Sequence, residues 1–138
     1  MSTAMVTLLQ QVPPFLPDDA EVTVLDLDLP PGDPGSPPHR HSGPVFGVVV
    51  EGELLFRLEG EDEHVIAAGE GFWEPGGDVI HYKAANNLPD RRTRFVAVVV
   101  GERGRPVMTF PTPEELAARA AETASTPRTP RTPRTPRR

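Results

Sequence analysis

An all-β sandwich or barrel is the fold class that this chain predicts, on three observations. Short apolar runs recur at regular spacing from Glu21 to Val100, as strands separated by turns do. The composition pairs 18 prolines and 12 glycines with only 6% aromatic residues, which favours many turns and short strands. Residues 21–29 alternate better than the arm before them, with Leu25, Leu27 and Leu29 on one face and Asp26 and Asp28 on the other. At 138 residues the chain has room for one domain with a real core.

The elements follow in order. Residues 1–20 contain Val12-Pro13-Pro14-Phe15-Leu16-Pro17, whose prolines exclude both helix interior and central strand, so an extended N-terminal arm is expected. The barrel then runs over residues 21–110. Its first strand ends at Leu29, and a proline- and glycine-rich loop, Pro30 to Pro38, delivers His39. Val45 to Val50 is a dense β-branched strand, and Glu51-Gly52-Glu53 turns the chain into Leu54 to Glu59. Further strands are expected at His64 to Ala68, Gly71 to Glu74 and Val79 to Ala84, with Pro75-Gly76-Gly77 as a turn between the last two. Arg94 to Val100 is the last strong strand, apolar on both faces in its second half. Residues 111–125 form a short C-terminal helix, capped by Thr112 with Pro113 at its first position and Glu115 at its third. The Thr-Pro-Arg repeat of residues 126–138 has no apolar residue to offset its ordering entropy and is expected to be a disordered tail.

Composition also bounds function. There are no cysteines, which leaves the histidines to carry any soft-ligand chemistry. The net charge is −6, and five arginines lie in the acid-free tail, so the folded part is more acidic still. Such a surface repels phosphate backbones, and nucleic acid is not expected as a partner. Residues 1–16 lack the pattern of a secretory signal, and no segment has the length and apolarity to span a bilayer. The expectation is therefore a cytoplasmic protein with no membrane partner.

His39 and His41 are two residues apart in a segment read as extended, so both imidazoles project from one face at metal-ligand spacing. His81, after the Pro75-Gly76-Gly77 turn, is the candidate third ligand. In these residues the sequence resembles the cupin superfamily, whose first motif supplies His-x-His and usually a Glu, and whose second is Gly-x5-Pro-x-Gly-x2-His followed by Asn. Gly52 matches the close of the first motif, and Gly69, Pro75 and Gly77 match the second. His81 and Asn86 each stand one residue beyond the strict spacing, an offset that a β-bulge or longer turn would absorb. The resemblance implies a double-stranded β-helix, or jelly-roll barrel, with His39, His41 and His81 as metal ligands.

The motif's glutamate position, four or five residues after His41, holds Val45 or Phe46. Three neutral imidazoles would leave a divalent ion its full +2 charge, and such a site accepts Zn, Fe, Ni or Cu. Glu74 and Glu51 are the candidates for an auxiliary carboxylate, while His64, among acids on an exposed hairpin, is given no role. Phe46, Trp73 and Tyr82 are the expected lining of a substrate pocket. Two functions compete. One is a metal-dependent enzyme acting on a small organic molecule by oxygenation, isomerisation or cyclisation. The other is a non-catalytic cupin that binds a small metabolite. A homodimer is expected from the apolar run Val96 to Val100.

Overall fold

The computed structural model describes residues 2–125, and the Thr-Pro-Arg repeat expected to be disordered lies outside them. Seven strands and one helix follow the arm: β1 (Ala20–Leu29), β2 (Val45–Glu51), β3 (Glu53–Leu58), β4 (His64–Ala67), β5 (Gly71–Glu74), β6 (His81–Asn86), β7 (Thr93–Glu102) and α1 (Pro113–Ser125). The strands form a four-stranded sheet, ordered β1-β7-β2-β5, and a three-stranded sheet, ordered β4-β3-β6. Every pairing is antiparallel. The result is the double-stranded β-helix that the motifs imply, with the core between the two sheets.

Alternation decides what enters that core. Leu25, Leu27 and Leu29 of β1, Val45 and Val49 of β2, Phe72 of β5, and Phe95, Ala97 and Val99 of β7 face inward, where Leu54, Phe56 and Leu58 of β3 meet them. Gly52 makes the tight β2–β3 turn at φ +82°, where a Cβ would strike Thr93 and the Arg92 carbonyl. At the other end Gly76 (φ +76°) lies against the backbone of Gly43, so the β5–β6 connection packs directly on the segment that carries the first two histidines.

Residues 2–19, read from the sequence as an arm, form neither helix nor strand. Leu8 and Leu9 come against Gly71, and Phe15 against Gly77. The strand expected from Val79 begins instead at His81, because residues 75–80 are taken up by the connection. Helix α1 starts as expected, with the Glu115 amide donating to Thr112 Oγ1 at 3.1 Å. Among the described residues no helix is long and apolar enough to cross a membrane.

Candidate metal centre

Backbone pairing brings the histidines together. His39 and His81 exchange both main-chain hydrogen bonds, N to O at 3.1 and 2.8 Å, so the two residues lie side by side. Arg40 pairs in the same way with Thr109, and the Gly77 amide donates to the His41 carbonyl at 2.8 Å. The segment 39–41 is thus fixed from three directions before any ligand is considered.

Glu74 completes the group. His39, His41, Glu74 and His81 are 4, 6, 5 and 3% exposed, and one potential ligand atom from each lies within 4.8 Å of all the others. The three histidines expected as ligands thus lie together with Glu74, the candidate auxiliary carboxylate, in one group that could hold a metal ion. Val45, at the glutamate position of the motif, is the direct cross-strand partner of Glu74. Residues opposite each other in an antiparallel pair share a face, so β5 puts a carboxylate next to the place where β2 has none. Glu51 takes no part, since it is exposed and paired with Arg92 at 2.6 Å.

The tautomers of the first pair are set by carbonyls. His39 Nδ1 donates to Pro37 O at 2.9 Å and His41 Nδ1 to Val107 O at 2.7 Å, which leaves each Nε2 as a lone-pair nitrogen. His81 differs. Its Nδ1 lies 3.0 Å from Glu74 Oε1, but off the hydrogen-bonding direction, so neither buried ring nitrogen has a hydrogen-bond partner. Glu74 Oε1 is also 3.6 Å from His41 Nε2.

A buried imidazole whose nitrogens make no well-formed hydrogen bond is costly unless something else satisfies it. Three nitrogens and one carboxylate oxygen converging on a buried site are a donor set that fits a divalent cation. Burial lowers the pKa of His39, which keeps its ring neutral and available as a ligand. For Glu74 burial acts in the raising direction, and His81, His41 and His39 more than offset it, so the carboxyl lies below its usual range and is ionised at neutral pH.

A cavity of about 50 Å³ adjoins the four side chains, walled by Leu25, Leu27, Phe72, Phe95, Ala97 and Met108 among others. Phe46, Trp73 and Tyr82, expected to line it, do not. Phe46 and Trp73 are cross-strand partners on the outer face of the larger sheet, one position out of phase with Val45 and Glu74. Tyr82 is displaced by a bulge. Arg57 pairs with Lys83 and Leu58 with His81, so Tyr82 is the extra residue of β6, and its ring lies outside beneath the Arg57 guanidinium. The bulge lies between His81 and Asn86, whereas the residue that offsets His81 from Gly77 belongs to the β5–β6 connection.

Support for the site also comes from residues that the sequence did not mark. Val107 and Met108, after the last strand, supply the carbonyl that orients His41 and part of the cavity wall. No local pattern announces either role. Asn86 had a signal, as the Asn that follows the second motif. Its amide nitrogen lies 2.8–3.2 Å from the carbonyls of Leu29, Pro30 and Arg91, while its oxygen accepts from Leu88 N and Thr93 Oγ1.

The sequence matches the family model of the cupin domain over residues 25–99. No curated protein matches it significantly. Among solved structures, a cupin-like protein from Thermotoga maritima is similar with a TM-score of 0.56 at 21% identity, over 70% of this chain and 71% of that one. The DMSP lyase DddQ from Ruegeria pomeroyi gives 0.57 at 21% identity, over 70% of this chain and 46% of that one. An oxalate oxidase in complex with the substrate analogue glycolate gives 0.54 at 25% identity, over 73% of this chain and 56% of that one. The chain spans about half the length of these two enzymes, and the likenesses at 21% concern the fold alone.

Proposed function

This chain belongs to the cupin domain family, and on that premise we propose that His39, His41, Glu74 and His81 hold one divalent ion, beside which the protein acts on a small organic molecule by oxygenation, isomerisation or cyclisation. The observation that carries this reading is the buried four-residue cluster itself, with an imidazole left unsatisfied. A bound ion of this kind supplies Lewis acidity and, if redox-active, electron transfer. The ionised Glu74 reduces the net charge of a divalent site from +2 to +1. The Pro37 and Val107 carbonyls hold two imidazoles in the ligating tautomer, and the walls of the adjoining space are largely apolar. The donor set suits Zn, Fe, Ni or Cu alike.

One observation favours the second reading, a non-catalytic cupin that binds a metabolite. Among the described residues lining the cavity, the only titratable side chains are the four of the cluster. A proton moved within the cavity would therefore have to pass through a group already committed to the ion. Incubation of metal-loaded protein with a pool of small metabolites, read by mass spectrometry, separates the two. A compound consumed by the loaded wild type and spared by His81→Ala identifies an enzyme. A compound retained and returned unaltered identifies a binder, and neither consumption nor retention contradicts both readings.

A further inference from the structure

The cavity wall restricts what the site can take. Among the described residues, apart from the cluster, Ser36 is the only lining residue with a polar side chain, and none of the described Lys, Arg, Asn or Gln residues reaches the space. A second charged group on a ligand would be buried there without a counter-charge. The volume of about 50 Å³ is room for roughly three to five non-hydrogen atoms, at 10–15 Å³ for each water-sized unit.

Phe72 forms part of the limit. Its ring packs against Phe56 and Phe95 at centroid distances of 5.4 and 5.7 Å. It also lies over Gly47 so closely that a Cβ there would fall 2.2 Å from the ring. Beyond it is a second, much larger space of about 880 Å³, bounded by Leu8 and Leu9 of the arm and by Val65 and Ile66 of β4, which Phe72 lines as well. The same residue therefore borders both spaces.

Resting on the metal-centre reading above, we infer that the site takes a ligand with one metal-binding donor atom and a short, uncharged, apolar body, and that Phe72 sets the length of that body by closing the cavity from the groove beneath the arm. A dianion or a molecule with a charged tail is disfavoured. Phe72 is a specificity residue here, with no part in the chemistry.

Thiols test this on the cobalt(II)-loaded full chain, because the protein has no cysteine and a thiolate-to-cobalt absorption band reports only the added ligand. Cobalt content is measured first, so failure of the metal reading, seen as no bound cobalt, is distinct from failure of the ligand reading. With cobalt bound, 1-propanethiol is expected to bind about tenfold more tightly than 2-mercaptoethanol, which has the same number of non-hydrogen atoms. Neither 2-mercaptoethanesulfonate nor 1-hexanethiol should produce the band in the wild type. Phe72→Ala should admit 1-hexanethiol while leaving ethanethiol affinity within about threefold, and Phe72→Leu, a smaller disturbance of the core, should shift the length limit in the same direction. Binding of the sulfonate as tight as that of propanethiol overturns the charge argument. Binding of hexanethiol to the wild type, or an unchanged length limit in both variants, overturns the role of Phe72.

Discussion

At Val45 the inner face of β2 carries a branched alkyl group directly opposite the carboxylate of Glu74 on β5. If the cluster is a metal centre, Glu74→Gln should weaken metal binding by roughly two orders of magnitude, since a contact to a charged group of about 3 kcal/mol is lost. Because the two positions share a face, the exchange Val45→Glu with Glu74→Val should recover most of that affinity. Competition against a chelator measures both, and a double variant no better than Glu74→Gln would show that the positions are not equivalent. Asn86 is a second residue whose role follows from its partners. Asn86→Ala strands buried donors and acceptors at the ends of three strands and should cost about 2–4 kcal/mol in chemical denaturation, without altering the metal-ligand set. The histidines were legible because period-two spacing and motif position are properties of the sequence. Glu74 was legible only as a nearby acid, since the register that sets it opposite Val45 is a property of the folded sheet.

At the scale of elements, the bulge in β6 decides which of two adjacent rings faces the cluster. Without an extra residue, regular alternation from Phe56 and Ala84 would turn Tyr82 inward opposite Leu58, and His81 outward. The spacing of the motif signalled an extra residue before His81, but not that Tyr82 would leave the cavity. Helix α1 shows a comparable limit. Its cap and start were readable, whereas its docking depends on charges from distant segments. Glu115 pairs with Arg40, the residue between the first two histidines, and Arg119 NH1 and NH2 lie 2.8 and 2.7 Å from Glu59 and Asp78. Arg40 lowers the pKa of Glu115, chiefly through their hydrogen bond. A lowered folded-state pKa means that this contribution is complete above the ordinary glutamate value of about 4.3 and is lost as pH falls through the lower folded value. The NMR signals of the α1 amides should therefore remain native-like at pH 6 and broaden or shift first in that acidic window. Independence from pH down to the global acid transition would show that Glu115 does not hold the helix.

At the scale of the whole molecule, the larger sheet keeps an apolar patch on its outer face, beside Asp26, Asp28 and Arg94 on the same face. Val22 and Val24 of β1 are 61 and 65% exposed and stand opposite Val100 and Val98 of β7, with Phe46 beside Val98 on β2. This is the surface on which the homodimer expected from Val96 to Val100 would form. Sedimentation equilibrium at micromolar concentration should give twice the chain mass, and Val24→Lys should shift the equilibrium toward monomer. A monomeric wild type contradicts the assembly but leaves the barrel and its cluster unaffected. The central claim concerns that cluster. Metal content per chain, measured by plasma mass spectrometry on untagged protein after reconstitution and dialysis, tests it most directly when paired with the melting temperature of the same samples. One divalent ion per chain, with a raised melting temperature as binding to the native state requires and with both effects lost in His81→Ala, is the predicted result. Protein that retains no ion and melts at the same temperature with and without metal would contradict it.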